Sequence, residues 1–386
     1  MAFEEKLTGA VFGVAIGDGM GGPVEGWDSA RLLEECSGWD FTQFLPGRER
    51  GIQDCEPESP WDHLQKGWGR ITDDTLMTEA LIRAYRQKRD HLDAFDFRDY
   101  LLPEMTETVT WVPELQRDTP IIDRLNVIER YTQIRLHDMG AEPRTAGIGN
   151  SLNCAIAMYI MPVGAVNAGD PRAAYQEAVA LGMAESHSYA VEGAAVLAAG
   201  YAAALGAGAT VADAEAAALR TARDGTKAAV SAALHATDPA DELADWIARV
   251  REAVLPYDAA SRASALEADP ATVIGSYHDP RLAIEEVPVA LAALKYGQCD
   301  FLSTLKAAVY YGRDCDSIAS MACGLCGALT GADGVPQKLR DASCAANRRD
   351  WERIAGDFGA AIADIWGADQ QRFRRRCHAM ECQAAG

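Results

Sequence analysis

Apolar residues recur at helical spacing along almost the whole chain of 386 residues. Near the N-terminus, one face of a helix carries Leu7, Ala10, Val11 and Val14, and we expect this helix to end at Gly17. Alternating β-branched patterns bounded by turns are scarce. The sequence therefore predicts a nearly all-α protein.

The same periodicity predicts helices over residues 76–85, 118–139, 171–185, 191–205, 211–234, 240–254, 284–296, 301–311, 318–329 and 348–366. Length alone would allow two or three domains, but no stretch has the composition of an interdomain linker. The longest irregular stretch, 39–70, is rich in Gly, Pro and charge, and we expect it to line a site.

The formal net charge of −21 argues against nucleic acid as a partner, because affinity for the phosphate backbone comes from basic patches. One basic cluster lies at 372–376 near the C-terminus. A solvated helix face is the favoured interpretation of this cluster, and a phosphate or partner contact is the alternative.

Ten scattered cysteines and an acidic N-terminus predict a reduced, cytoplasmic protein. The uncharged run 193–212 is long enough to cross a membrane, but it is mostly Ala and Gly, which favours a helix packed in the core. Cys323 and Cys326, and the pair Cys377-His378, have spacings that occur in zinc sites. Packing thiols are the favoured interpretation.

A first acidic cluster reads Thr72-Asp73-Asp74-Thr75 and opens an apolar helical stripe. Thr72 is a natural N-cap, and acids in the first turn of a helix are favourable, so simple capping is one interpretation. Metal binding is the other.

A second acidic cluster contains Asp314, Asp316 and Ser317. Residues two apart do not share a helix face, so the two aspartates converge only in a turn, which Gly312 allows before the next helix. That helix is almost free of large polar groups and is therefore predicted to be buried. Buried carboxylates at the start of this helix then need hydrogen-bonding or ionic partners. Simple capping of the helix N-terminus remains the alternative.

If the fold brings the two clusters together, each pair of like charges 4 Å apart is repelled by about 4 kcal/mol at a surface-like dielectric. A hard divalent cation would relieve this repulsion. Oxygen ligands without His or Cys at zinc spacing favour Mg²⁺ or Mn²⁺.

Five glycines lie within residues 17–26 and permit close approach of the backbone or positive φ angles. The segment could hold a phosphate, but it lacks the Lys-Ser/Thr end of a P-loop. Glu25 stands on a rigid turn between Pro23 and Gly26. A surface turn is the alternative interpretation.

Together these segments resemble the ADP-ribosylglycohydrolase family, which includes dinitrogenase-reductase-activating and ADP-ribosyl-acceptor hydrolases. The resemblance rests on residues 13–25, 72–75 and 312–321, and it continues through 153–158, 162–164 and His187. Order and spacing hold from about residue 5 to about residue 335.

The resemblance implies a compact orthogonal helical bundle, all-α, forming a single domain over 1–386 with 336–386 as a C-terminal helical extension. It also implies two Mg²⁺ (or Mn²⁺) ions at the base of a cleft. The residues that match the family's metal ligands are Thr72, Asp73, Asp74, Asp314, Asp316 and Ser317.

Such enzymes cleave the N- or O-glycosidic bond at C1 of an ADP-ribosyl ribose. Glu25 matches a mobile acidic residue that takes part in the reaction, and our hypothesis is that Asp314 or Glu25 positions the attacking water. Carboxylates would also stabilise an oxocarbenium-like transition state. The predicted catalytic residues are therefore Glu25 and Asp314.

The sequence departs from the family pattern at Arg313, where a second glycine is usual, and at Tyr159, where many members carry Arg. Arg313 is interpreted as a contact to a substrate carboxylate or phosphate, or as a salt bridge to a neighbouring acid. Tyr159 stacks on a substrate ring or packs in the core. The predicted substrate contacts are Asp18, Gly22, Asn153, Tyr159, His187 and Arg313.

These departures favour a small ribosyl-nucleotide metabolite over an ADP-ribosylated protein as the substrate. Two rival functions remain. One is a non-enzymatic, crystallin-like relative, which has no reason to keep four mutually repelling carboxylates. The other is a binuclear phosphoesterase that uses the same ions on a phosphate.

Overall fold

The computed structural model describes residues 1–46, 67–257 and 282–384, and helices make up most of them. The helices are α1 (Phe3–Gly21), α2 (Ser29–Glu35), α3 (Asp73–Lys88), α4 (Ala94–Asp96), α5 (Leu102–Thr106), α6 (Val127–Gln133), α7 (Pro143–Ala146), α8 (Ala155–Met158), α9 (Met161–Val166), α10 (Pro171–Gly182), α11 (Ser188–Ala204), α12 (Val211–Thr221), α13 (Asp224–Ala236), α14 (Leu243–Val254), α15 (Leu282–Gly297), α16 (Phe301–Tyr311), α17 (Cys315–Thr330), α18 (Gln337–Asn347) and α19 (Trp351–Ala384). The described strands are β1 (Val109–Val112) and β2 (Arg117–Pro120), which pair antiparallel. The all-α prediction is confirmed.

A row of glycines joins α1 to α17 along their whole length. Gly9, Gly13, Gly17 and Gly21 recur every four residues and therefore lie on one face of α1. A Cβ atom at Gly13 would stand 2.1 Å from the Cys323 carbonyl oxygen, and those at the other three would come within 2.2–2.4 Å of the α17 backbone. The two helices run antiparallel, with their backbones in direct contact.

This contact explains why the predicted end of the first helix at Gly17 is wrong. The helix continues to Gly21, because Gly17 serves a close approach to Ala319 rather than a turn. Of the five glycines in 17–26, Gly26 has a positive φ of 82°. The glycines inside α1 are therefore used for helix packing.

Helix α17 is the centre of the fold. It packs against α1 on one side and against α11, α15 and α16 on the others, and almost all of its residues are buried. The Ala-rich α11 is also buried over most of its length, as predicted for the uncharged run. None of the described helices is both long and apolar enough to span a membrane.

Most predicted helices are present, with ends shifted by a few residues. One exception is the helix predicted over 348–366, which continues to Ala384 as α19. The prediction over 118–139 is wrong in its first part, where β2 and a 3-10 turn (Ile121–Asp123) precede α6. The β-branched and aromatic run of β1 favours a strand, and pairing with β2 then draws the following residues into the hairpin. The single helix predicted over 211–234 is two helices, α12 and α13.

The predicted C-terminal extension, 336–386, contains α18 and α19. Buried side chains of Trp351, Phe358 and Ile362 pack the first half of α19 onto the helices of the core. Its second half is largely exposed, including Phe373. Within the basic cluster, Arg372 pairs with Asp90 and Asp369, and residues 374–376 are exposed, which agrees with a solvated face.

Cysteine placement agrees with packing thiols. Cys323 and Cys326 are free and fully buried in α17, and Cys377 is free on α19. Burial raises the pKa of the Cys323 thiol well above its usual value and that of Cys326 to about 12. Because zinc binds the thiolate, a raised pKa disfavours a zinc site.

Of the predicted irregular stretch 39–70, residues 47–66 lie outside the described residues.

His91 connects α10 and α19 at the surface of the core. Its Nδ1 atom lies 2.5 Å from Glu177 Oε2, and its Nε2 atom lies 3.1 Å from Asp369 Oδ2. The hydrogen bond to Glu177 is the main cause that raises the pKa of His91 to about 9, and burial opposes it. Since the unfolded value is about 6.5, the stabilisation is fully present below that pH and is lost as pH rises through about 9.

We therefore expect the free energy of unfolding to decrease as pH rises from about 6.5 to about 9.5. The His91→Gln variant should show a smaller decrease over this range, because it lacks the titrating group. Chemical denaturation at a series of pH values measures it. His137→Gln is the control, because that side chain is 72% exposed. Equal pH slopes in the wild type and His91→Gln would contradict the assignment.

Candidate metal centre

Asp18 forms the floor of the site and caps α3. Its carboxylate oxygens accept hydrogen bonds from the Thr72 backbone N–H at 2.9 and 3.0 Å, and also from the backbone N–H and hydroxyl of Thr75. Thr72 is the N-cap by position, as predicted, but its own hydroxyl makes no capping hydrogen bond. A carboxylate from α1 therefore satisfies the start of α3, and burial raises the pKa of Asp18 to about 7.

A strained turn forms the opposite wall. Gly312 and Arg313 both have positive φ angles, 81° and 60°, which aim the chain back toward the N-terminal segment. The Arg313 N–H donates to the Trp27 carbonyl oxygen at 2.6 Å, and the Gly26 N–H donates to the Arg313 carbonyl oxygen at 2.6 Å. Asp314 follows as the N-cap of α17. The turn predicted after Gly312 is therefore present, and it is held against the residues that follow Glu25.

Carboxylates from three distant segments converge between these walls. Asp18, Asp74 and Asp316 form one set of oxygens that all lie within 4.8 Å of one another, and Glu25, Asp314 and Asp316 form a second such set. Asp316 belongs to both. Both sets offer only hard oxygen ligands, so the arrangement fits divalent cations of the Mg²⁺ or Mn²⁺ type.

Burial and mutual repulsion raise the pKa values of Asp74 and Asp314. For Asp74, burial is the main cause of a pKa well above the usual value, and the charges of Asp18, Asp73 and Asp314 add to it. For Asp314, burial is again the main cause, followed by the charge of Glu25. A divalent cation bound between these carboxylates would offset the repulsion and lower their pKa values again.

Asp73 points away from both oxygen sets. Its Oδ2 atom accepts a hydrogen bond from Asn126 at 2.6 Å, and its Oδ1 atom lies 3.5 Å from the Arg124 guanidinium. Arg124 also binds Glu114 through its Nε atom at 2.8 Å. Burial lowers the pKa of Arg124, but Glu114 and Asp73 more than offset this effect and hold it above the usual value. The pairing of Arg124 with Glu114 was not predicted from the sequence.

We expect Arg124→Gln to lower the free energy of unfolding by about 3 kcal/mol, because breaking a buried ion pair leaves charge uncompensated. Arg124 is 2% exposed, and both of its acids would lose the guanidinium that neutralises them. Arg117→Gln is the matched control, since that arginine is 61% exposed and its pair with Asp123 spans 3.4 Å. Denaturation of both variants measures the difference, and equal losses would contradict a special role for Arg124.

Hydroxyl groups surround Asp74. The Thr72 Oγ1 atom lies 3.4 Å from Asp74 Oδ2, and the Ser320 Oγ atom lies 2.8 Å from Asp74 Oδ1. Thr72 and Ser317 are buried. Their role as metal ligands stays a prediction. Ser320 was missed, although its spacing of four residues from Asp316 puts it on the same face of α17.

Cys154 is a second residue that the sequence analysis missed. Its Sγ atom lies 3.0 Å from Asp314 Oδ2, so the thiol donates to the carboxylate at the mouth of α17. Burial, followed by the charge of Asp314, raises the pKa of Cys154 well above its usual value. The group is therefore a neutral donor that fixes the orientation of Asp314. Its position next to Asn153 was the available signal.

The residues that were predicted to contact the substrate lie in different environments. Arg313 pairs with Glu285 at 2.8 Å, which is the salt-bridge alternative. Asn153 accepts the Ala155 N–H at 3.1 Å and so holds the start of α8. Gly22 is buried in the turn Gly22–Val24, and Asp18 is fully buried beneath the site.

Tyr159 contacts a buried acid outside the two oxygen sets, and His187 lies two residues after that acid in the sequence. Tyr159 has no exposed surface and donates its hydroxyl to Glu185, so its position matches the core-packing alternative. Burial is the main cause that raises the pKa of Glu185 to about 7. His187 occupies the N-cap position of α11, where its buried Nδ1 atom makes no hydrogen bond with the described residues.

Comparisons with known proteins identify the family and the fold. A family model described as ADP-ribosylglycohydrolase matches residues 1–371. Uncharacterized protein YegU of Escherichia coli (strain K12) is 25% identical over 358 residues, which cover 91% of this chain and 95% of that protein. A solved structure titled "ADP-ribosylglycohydrolase-related protein complex" has a TM-score of 0.57 and 18% identity, with coverage of 93% of this chain and 99% of that chain, and it shows the shared fold. Because the family model spans nearly the whole sequence, this chain belongs to the ADP-ribosylglycohydrolase family.

Proposed function

We propose that this protein is a metal-dependent hydrolase that cleaves the N- or O-glycosidic bond at C1 of an ADP-ribosyl or related ribosyl-nucleotide substrate. The observation that carries the proposal is the pair of carboxylate sets that share Asp316. Acids from α1, α3 and α17 meet there, although they are far apart in the sequence. Family membership supports a glycosyl hydrolase, and the acid clusters support a dependence on metal.

Two divalent cations, Mg²⁺ or Mn²⁺, are the cofactors that suit two overlapping oxygen sets. Asp74, Asp314 and Asp316 are the carboxylates best placed to hold them, and Thr72 and Ser317 complete the proposed ligand set. Asp73 was also predicted as a ligand, but it would join the set only by giving up a contact with Asn126 or Arg124. When bound, such ions act as Lewis acids that orient the ribose hydroxyls and polarise oxygen atoms.

Glu25 and Asp314 are the proposed catalytic groups. Both are partly exposed, and each has an oxygen within 4.8 Å of the other's and of Asp316. From this position they can orient an attacking water, accept its proton at a carboxylate oxygen and stabilise the positive charge that develops at C1. The Cys154 thiol keeps Asp314 in one orientation.

A small metabolite is the proposed substrate, in preference to an ADP-ribosylated protein. Tyr159 takes a position that is Arg in many relatives; it is uncharged, and its full burial keeps it out of the cleft. Arg313 is engaged by Glu285. Both observations support a substrate that needs fewer cationic contacts at these positions.

The test is incubation with a panel of ADP-ribosyl and ribosyl-phosphate compounds in Mg²⁺, with products separated by chromatography and identified by mass. We expect release at C1, its loss in EDTA and its loss in a folded Asp314→Asn variant. Asp333→Asn is the control, because Asp333 is exposed beyond the end of α17.

Failure of every compound to release product would overturn the proposal. Cleavage of a phosphoester with the C1 bond intact would instead identify the binuclear phosphoesterase. A protein that shows no thermal shift with Mg²⁺ would fit the non-enzymatic alternative, since a ligand that binds the native state raises the melting temperature.

A further inference from the structure

Five arginines line a cleft that shares no residue with the candidate metal centre. The cleft has a volume of about 260 Å³ and lies between α3, the β-hairpin and the junction of α18 with α19. We call it the arginine cleft, and its arginines are Arg83, Arg86, Arg348, Arg349 and Arg353. Such a concentration of guanidinium groups is unexpected in a chain with a net charge of −21.

Two consecutive arginines are fixed on the hairpin. Arg348 ends α18 in the left-handed conformation, with a φ of 52°, and its guanidinium lies 3.6 Å from the centre of the Trp111 ring. Arg349 donates to Thr110 Oγ1 at 2.6 Å and to the Trp111 carbonyl oxygen at 3.0 Å. The positions of both side chains are therefore set before any ligand arrives.

Carboxylates compensate these arginines incompletely. Glu79 is shared between Arg83 and Arg349, at 2.9 and 3.0 Å, and Asp350 is the other acid that lines the cleft. Acids beside the cleft, Glu104 and Asp357, take further pairs with Arg83, Arg86 and Arg353. For Arg348, the described residues provide the ring contact and no ion pair.

A donor at the cleft also lacks an acceptor. The Arg83 Nη2 atom is buried and makes no hydrogen bond with the described residues, and the nearby Trp111 Nε1 atom is in the same state. Leaving a buried donor unsatisfied costs about 1–3 kcal/mol, and more for a charged group. Arg83 lines the cleft, so its guanidinium group stands beside the space that an anion would fill.

We propose that the arginine cleft binds a phosphate group, either free orthophosphate or the phosphate of a monoester. Planar guanidinium groups bind phosphate oxygens in a bidentate manner, and arginine keeps its charge at every physiological pH. Arg348 and Arg353 stand at the exposed edge of the cleft and meet the anion first, while Arg83 contributes its positive charge from the more buried side.

The experiment measures binding of orthophosphate and of glycerol 3-phosphate by calorimetry and by thermal shift. EDTA is present throughout, so that the metal centre contributes nothing, and chloride holds the ionic strength constant. We expect saturable binding and a saturable rise in melting temperature. Tighter binding of glycerol 3-phosphate identifies a monoester as the ligand, and equal or weaker binding identifies free phosphate.

The decisive comparison uses two double variants with the same loss of charge. Arg348→Ala with Arg353→Ala should weaken binding at least tenfold, and it should leave the fold intact because both side chains are exposed. Arg374→Ala with Arg375→Ala, on the exposed end of α19, should bind like the wild type. A rise in melting temperature that never saturates, or an equal response in both double variants, would overturn the proposal.

Discussion

An Asp316→Asn variant is expected to lose at least about 100-fold in kcat/KM and to lose its stabilisation by Mg²⁺, while remaining folded. Asp316 is the carboxylate that both oxygen sets share, so one substitution weakens the binding of both proposed ions. Even residues that only support a metal ligand cost about 10–100-fold when they are replaced, and a direct ligand should cost more.

We expect the Asp316→Asn variant to fold with nearly wild-type stability. Asp316 is 2% exposed among other acids, and its Oδ1 atom accepts the Ser317 N–H, a role that the Asn side-chain oxygen keeps. In EDTA we expect the free energy of unfolding to stay within about 1 kcal/mol of the wild type, because one source of repulsion is removed. Calorimetry with Mg²⁺, thermal shift and turnover measure these effects, with Asp333→Asn as the control. Full Mg²⁺ binding by Asp316→Asn would contradict the proposed centre.

Gly13→Val is expected to destabilise the protein by more than about 4–5 kcal/mol, which is the exceptional range for a single substitution. A Cβ atom at this position would stand 2.1 Å from the Cys323 carbonyl oxygen, and a backbone atom cannot rotate away as a side chain does. Helices α1 and α17 would therefore have to separate, and the cost is a large part of the 5–15 kcal/mol that stabilises a typical domain.

Gly356→Val is the matched control, because a Cβ atom at Gly356 in α19 meets nothing within 4 Å. Replacing an exposed helical glycine should be neutral or stabilising by up to about 1 kcal/mol. Gly13→Ala provides a milder step if the valine variant does not fold. Soluble yield and chemical denaturation measure the series. A Gly13→Ala variant as stable as the wild type would show that the helices tolerate separation.

Periodicity was sufficient to predict most of the helices, because each long helix buries one apolar face. It failed at Gly17, where we took a glycine as a helix end, although tertiary contact with α17 keeps the helix going to Gly21. It failed again at the β-hairpin, since the pairing of Val109 with Pro120 depends on a turn that helical periodicity does not detect.

For the site, the motifs predicted that distant acids would converge, and the structure brings Glu25, Asp74, Asp314 and Asp316 together. The sequence did not indicate that Asp18 caps α3, because a cap supplied from a distant helix leaves no local pattern. Long-range partners such as Arg124 and Cys154 were invisible for the same reason. Ser320 was different, because its helical spacing from Asp316 was available.

The glycine contact between α1 and α17 has a consequence for how the protein is made. The two helices come from opposite ends of the chain, so a ribosome must add most of the residues before α1 can meet its counterpart. Until then the glycine-lined surface of the nascent α1 lacks its native neighbour, and a long loop must close before the pair forms. The carboxylate set that joins Asp18 to Asp316 is therefore completed late in biosynthesis.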